Sequence, residues 1–499
     1  MIHKSIRIAV LIIVQALIVF PQIQTPLEKN NYQKITSYNE LSGFLSEADK
    51  YSDLVNVEVI GQTVEGRNLY AVKFSKSGFG NDETKIKVLI FAQQHGNEQS
   101  GKEGALLLIN ELLKPENKYL LDKIDFALIP QMNPDGSEKN QRRNANGMDL
   151  NRNHLILTEN ETNAMHKLFD EYLFDVTMDV HEYAPYGDEY KNYGYRHNDD
   201  EEIGTITNIN ASEKIRLMQK KVYLPYIKKY LNEHNFSCFE YSPGGPPEID
   251  YIRHSTFDIN DGRQSLGILN SFSLIQEGLN GEDVFVQNIR HRAEGQMRGM
   301  LGLLAFAYNN IDEIKSLVRE GRKSLVENKA ADQVAIQLDH FPDGSKLNLP
   351  LLSYYSNKDT VITVNDYRPL VKSIYDVKRP KGYLVPKSQT DIVKWADRQG
   401  LNYSDYRMSV DDRVEQYKIT GIDSMDFERD IIVNPQVVAE EVENNYCGDE
   451  YIFIPLNQLK NNLIVIALEP KSELGLVTYK QFEYLLKKGE PFPILRVVN

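Results

Sequence analysis

The chain has 499 residues, 41% of them apolar and 26% charged, with a formal net charge of −14. Such a length supports a large core and more than one domain, and such a composition excludes a disordered chain. The acidic balance argues against a nucleic-acid partner, which favours a basic face.

Lys4 and Arg7 precede a mostly apolar run from Ile8 to Phe20, and Pro21 and polar sequence follow. A positive start and an apolar stretch too short to span a bilayer comfortably predict a signal peptide over residues 1–24, hence a secreted or periplasmic protein. An uncleaved anchor is the alternative. No later segment is apolar enough to predict a membrane span. Two cysteines, Cys238 and Cys447, are too few for a disulfide scaffold, and whether they pair is open.

From about residue 32 to 310, strand-like and helix-like runs alternate. "KIKVLIFAQQ" predicts a buried strand, "KEGALLLINELLK" a helix, "KIDFALIPQMN" a strand, "TNAMHKLFDEYL" a helix and "FDVTMDV" a strand. A long helix follows at "KIRLMQKKVYLPYIKKYLNEH", then a strand at "SFSLIQE" and a closing helix at "IRHRAEGQMRGMLGLLAFAYNN". This order predicts an α/β fold with a mixed, mostly parallel sheet flanked by helices. Residues 25–310 are assigned to this first domain. A charged helical connector is expected over 311–329. A smaller β-rich accessory domain is expected over 330–499, from "KGYLVP", "EYIFIP", "LIVIAL" and "PILRVV".

In an open parallel sheet, ligands bind beyond the carboxyl ends of the strands. Those positions hold His95 and Glu98, then "NPDG" and "RRNANGMDLNRN", then His181, then Glu277. His-x-x-Glu occurs twice, at His95/Glu98 and at His291/Glu294. The second pair lies inside an amphipathic helix among arginines, where a solvated face with local ion pairs is the ordinary outcome. The first follows a strand in a short glycine-containing loop that can aim both side chains at one point. Two histidines and a glutamate form an established catalytic zinc set, so His181 is the expected third ligand. A carboxylate must then move the water's proton, and Glu277 is the candidate; Glu182 should point away by strand alternation. Arg142 and Arg152 are suited to oxyanions and carboxylates. Asp149 is placed to orient a ligand histidine.

Taken together, "GQTVEGRNLYAVKF", "HGNE", "NPDG", "RRNANGMDLNRN", "DVHEY" and "SLIQEG" resemble the zinc carboxypeptidases of the carboxypeptidase A type, in that family's order, over roughly residues 32–310. The region after it looks like the C-terminal extensions of some bacterial members. The resemblance implies one zinc ion per chain at His95, Glu98 and His181, with Glu277 as general base and then acid. It implies that Arg142 polarises the scissile carbonyl, that Asn151 and Arg152 grip the terminal carboxylate of a peptide substrate, and that Asp149 hydrogen-bonds His95. The family's mobile tyrosine maps to Tyr241, upstream of Gly244, Gly245 and Asp250, although the spacing is altered. Asn97 stands where many animal members have arginine. The competing readings are an amino-acid N-deacylase on the same fold and a non-catalytic peptide-binding protein. The preferred C-terminal side chain and the oligomeric state are not legible in the sequence.

Overall fold

In a computed structural model, the protein is described for residues 23–498 apart from 283–285, 330, 408, 410, 428 and 429. The predicted signal peptide therefore falls almost wholly outside the described residues. Among them, no helix is long and apolar enough to cross a membrane.

The centre is an eight-stranded sheet. Its strands are β1 (Val55–Gln62), β2 (Asn68–Phe74), β3 (Ile86–Ala92), β4 (Ile124–Ile129), β5 (Val176–Tyr183), β6 (Glu201–Gly204), β7 (Cys238–Glu240) and β8 (Phe272–Leu279). Their spatial order is β1-β2-β4-β3-β5-β8-β6-β7. Along it the pairings are antiparallel twice, parallel three times, then antiparallel and parallel. The sheet is mixed with a parallel centre, as expected. The short strands β6 and β7 and the β1–β2 hairpin carry no long apolar run; β6 reads EEIG although all four of its residues are buried.

Alternation along each central strand sends its apolar residues to two cores. Val88, Ile90 and Ala92 of β3, with Val176, Met178 and Val180 of β5, meet the helices Gln99–Leu113 and Ile289–Asn309. These helices approach closely at Gly104, where a Cβ would stand 2.7 Å from that of Gln296. Leu89 and Phe91 point the other way, towards Met165, Leu168 and Phe169 of the helix Asn160–Tyr172.

That second core continues into the C-terminal region. Trp395, Ile464 and Phe482 belong to the same buried cluster as Leu89 and Phe91. Side chains of the helix Thr390–Arg398 and its flank hold consecutive carbonyls of the N-terminal region: Trp395 Nε1 donates to Leu155 O at 2.9 Å, Arg398 Nε to Ile156 O at 3.1 Å, and Gln399 Nε2 to Leu155 O at 2.7 Å. The region is β-rich, with a six-stranded sheet that includes a long hairpin, Arg413–Phe427 with Asp430–Val442. "LIVIAL" corrects the expectation of a strand: Asn461–Leu468 is a helix with every residue buried. A short apolar run enclosed on all sides has no polar face to reveal its period. Two further pairings tie this region to loops of the N-terminal region, Tyr195–Arg196 against Leu352 and Ser353, and Ile252–Arg253 against Tyr367–Arg368.

Candidate metal centre and cleft

The ligand loop begins where β3 ends. Gln93 has φ +58, a strained value for a residue with a side chain, and this turns the chain sharply out of the sheet. Its amide secures the turn by donating to Gly96 O, Gln99 Oε1 and Ser137 Oγ at 3.0–3.1 Å. Gly96 lies so close to the "NPDG" turn that a Cβ there would be 2.2 Å from the Gly136 carbonyl carbon. The glycines of both motifs thus serve one contact, which brings the loop carrying His95 and Glu98 against the segment leading to Arg142.

His95, Glu98 and His181 converge and are buried. His95 Nδ1 lies 2.6 Å from Glu98 Oε1, His181 Nδ1 lies 2.9 Å from Glu98 Oε2, and the two Nδ1 atoms are 3.1 Å apart. Ligand atoms about 2.0–2.1 Å from a tetrahedral zinc lie roughly 3.3 Å from one another. The three separations are near that value, so small outward movements accommodate an ion, and the donor set of two imidazoles and a carboxylate suits zinc. Each ring turns its other nitrogen to a carboxylate: His95 Nε2 is 3.2 Å from Asp149 Oδ1, and His181 Nε2 is 2.8 Å from Asp179 Oδ1. Burial opposes ionisation of Glu98, but His95 and His181 outweigh it and hold the carboxyl well below its usual range. Burial likewise opposes charge on His181, and Asp179 and Glu98 reverse this and raise it well above its ordinary value. Acceptors that hold a proton so firmly on that ring edge also favour a cation beside it.

His181 and Glu277 differ from expectation in one detail: both lie within strands instead of just beyond them, because β5 and β8 extend to Tyr183 and Leu279. The two residues are direct partners in the parallel register of β5 and β8. Glu277 lines a cleft of about 320 Å³ together with His95, Glu98, Arg142 and Tyr241. Burial pushes the Glu277 carboxyl up to about 8, with His181 opposing and Glu98 adding to the rise. Glu182 turns to the opposite face, where it accepts from Ser100 Oγ at 2.6 Å and pairs with Arg292 at 2.5 Å.

Arg142 is half exposed to the cleft; its Nη1 lies 3.8 Å from Glu98 Oε1 and its Nη2 2.9 Å from Asp149 Oδ2. Asp149 is thus shared between His95 and Arg142, and despite burial both hold it far below the usual carboxylate range. Asn151 and Arg152 line the same cleft. The Asn151 side-chain oxygen Oδ1 already accepts from Gly262 N at 2.8 Å, leaving the side-chain Nδ2 as the available donor. Arg152 is exposed to the cleft, with Nη1 donating to Asn151 O at 2.8 Å. Tyr241 packs with its ring 5.9 Å from the Arg263 guanidinium. Gly244 and Gly245, with φ +107 and +78, shape the loop behind it, while Asp250 stands outside the cleft lining.

Sequence reasoning missed Asp179, Asp258, Asp261 and Arg263. Asp179 carried a readable signal, since it lies two residues before His181 on one strand and so on the same face. The other three sit on a loop and short helix that only the fold brings to the cleft. A larger groove of about 730 Å³ lies on the C-terminal sheet and gathers no comparable set of donors.

Residues 43–242 match the zinc carboxypeptidase family. That match supports a peptide hydrolase. The matched stretch contains His95, Glu98, Arg142, Asn151, Arg152, His181 and Tyr241, and ends before Glu277. The chain is similar to carboxypeptidase 2 of Trichophyton rubrum, 24% identical over 450 residues that span 87% of this chain and 81% of that protein. It is similar to carboxypeptidase D of Mus musculus, 28% identical over 252 residues, 42% of this chain and 18% of that one. Among solved structures, a metallo-carboxypeptidase from Burkholderia cenocepacia aligns with 56% of this chain and 70% of its own at 18% identity, with a TM-score of 0.43. Cys238 is buried and Cys447 exposed, and neither is in a disulfide.

Proposed function

We propose that the protein is an exported zinc metallocarboxypeptidase that removes the C-terminal residue of peptides, with Glu277 as the group that moves the proton. The observation that carries the reading is that His95, Glu98 and His181 converge beside Glu277, the cross-strand partner of His181. One zinc ion held by those three side chains would acidify water and polarise the scissile carbonyl. The Glu277 carboxylate takes a proton from the attacking water and returns it to the leaving amine. Its enclosed position raises its affinity for that proton. The Arg142 guanidinium faces the cleft and stabilises the carbonyl oxygen as it gains charge. Arg152 and the Asn151 amide bind the substrate's terminal carboxylate, which suits the fork of an arginine. Tyr241 closes over the bound residue. Residues 25–310 form the catalytic domain, 311–329 the connector and 330–499 the accessory domain in this reading.

The test is to incubate the purified protein with a mixed peptide library and with N-acyl amino acids, and to read the products by mass spectrometry. Stepwise loss of single C-terminal residues is expected. Release of acyl groups without peptide trimming would replace this reading with the N-deacylase.

A further inference from the structure

Behind His181 runs a second line of buried polar side chains that the reaction does not use. Asp179 Oδ2 accepts from Gln94 Nε2 at 2.8 Å. Gln94 Oε1 lies 2.7 Å from His154 Nε2, and His154 Nδ1 lies 3.0 Å from His166 Nε2. All five residues from His181 to His166 are almost completely buried, Gln94 and His154 at 0% exposure. Gly262 belongs to the same construction: a Cβ there would stand 2.6 Å from Asp179 Oδ2 and 2.7 Å from Gln94 Nε2.

Hydrogen-bond chemistry gives this line one direction. A carboxylate only accepts, so the Gln94 amide must turn its nitrogen to Asp179 and its oxygen to His154. A carbonyl oxygen also only accepts, so His154 carries its hydrogen on Nε2. Burial lowers the His154 pKa to about 4, and His166 is pushed well below its ordinary value, so both rings are neutral near pH 7. A neutral His154 protonated on Nε2 has its lone pair on Nδ1, and His166 must donate to it from Nε2. His166 Nδ1 then ends the line as a lone pair without a hydrogen-bond partner among the described residues. At the other end, Asp179 Oδ1 faces His181 Nε2 at 2.8 Å. Asn151 Nδ2 stands farther from that nitrogen, at 3.4 Å.

We propose that Gln94, His154 and His166 are positioning residues for the metal centre. Through Asp179 they hold His181 in the tautomer protonated on Nε2, so that its Nδ1 lone pair faces His95 and Glu98. Neutral donors suit this task. They fix the rotamer of Asp179 without cancelling its charge, which stays available to make His181 a more basic ligand. A histidine of this kind in a core is ordinarily just a satisfied polar group. Here the line ends on a ligand, and a glycine is required where a side chain would break it.

The proposal rests on zinc binding at His95, Glu98 and His181, and its test separates the two. Zinc dissociation constants are measured on metal-free protein by competition with a chromophoric chelator. Wild type must bind one equivalent; if it binds none, the metal assignment itself has failed. Given that binding, Gln94→Leu should weaken affinity about ten- to a hundred-fold, the range typical of lost outer partners of a ligand. His154→Leu should weaken it less, and His154→Gln, which retains a donor towards Gln94, should recover part of the loss. The electronic spectrum of the cobalt-substituted protein should change in Gln94→Leu, which a purely structural role would not cause. A folded Gln94→Leu protein with wild-type zinc affinity and an unchanged cobalt spectrum would overturn the proposal. A measurement on wild type needs no variant to fold: long-range ¹H–¹⁵N NMR of the imidazoles should show His154, His166 and His181 all neutral and protonated on Nε2 in the zinc-bound protein. A charged His154, or one protonated on Nδ1, would also overturn it.

Discussion

His95/Glu98 and His291/Glu294 have identical spacing and opposite fates. The first pair follows a parallel central strand, is buried, and meets His181 from the neighbouring strand. The second lies on the exposed side of the helix Ile289–Asn309, where His291 pairs with Asp200 at 2.7 Å and Glu294 with Arg290 at 2.9 Å. The His291 contact reaches Asp200, just before β6, a half-buried carboxylate that also accepts from Ser237 N and Oγ at 2.8 and 2.9 Å. Three-residue spacing alone therefore says little. What separates the pairs is a third donor, a carboxylate behind each ring, and enclosure that strengthens electrostatics.

The largest effect expected from this contrast is on the metal. His95→Ala or His181→Ala should abolish stoichiometric zinc, measured by atomic absorption, and reduce peptide hydrolysis to background, because the fall in the pKa of water from about 15.7 to about 7 is lost. His291→Ala should keep the zinc and stay within about twofold in kcat/KM, as for other surface substitutions. Loss of zinc in His291→Ala with retention in His95→Ala would reverse the comparison.

Next in size is the proton. Glu277→Gln keeps the shape of the side chain and cannot accept a proton. Turnover should fall about 10²- to 10⁴-fold with zinc and peptide binding retained, whereas Glu294→Gln should leave steady-state kinetics unchanged. Near-normal turnover in Glu277→Gln would remove it from the reaction.

Recognition of the substrate's end is expected to be smaller. One peptide compared as free acid and as amide should differ about ten- to a hundred-fold in kcat/KM, the worth of a charge-assisted hydrogen bond. Because Arg152 is exposed to the cleft, the lower part of that range is expected, and Arg152→Ala should narrow the gap. Equal rates on acid and amide with wild type would show that no terminal carboxylate is read.

The smallest effect belongs to the exposed pair. Asp200 raises the pKa of His291 above its ordinary 6.5. The folded state thus binds this proton more tightly than the unfolded chain, so the stabilisation is complete below about 6.5 and disappears as pH rises through the raised value. Half exposure limits it to about 1 kcal/mol or less. Denaturation of wild type and His291→Ala should differ by that amount at pH 5.5 and converge at pH 9. A difference that grows with pH would contradict the pairing.

Much of the centre was legible in the sequence because strand alternation is rigid. The apolar runs of β3, β4, β5 and β8 mark strands buried on both faces. Period two places His181 on one face and Glu182 on the other, and it would have placed Asp179 with His181 as well. The glycines of "HGNE" and "NPDG" marked tight backbone, and their shared contact explains why both are needed. Only the tertiary structure decided which strands are neighbours. The register of β5 with β8 sets Glu277 beside His181, although 95 positions separate them in the chain. Folding also delivers Asp149 to His95, Gln94 to Asp179, His154 to Gln94, and Trp395 to the loop that follows Arg152. It made "LIVIAL" a helix, because a segment enclosed on every side takes its form from its neighbours. Local patterns follow from covalent geometry and hydrophobic periodicity, which any short window of sequence contains. Convergence of distant side chains depends on strand order and core packing, which no short window holds.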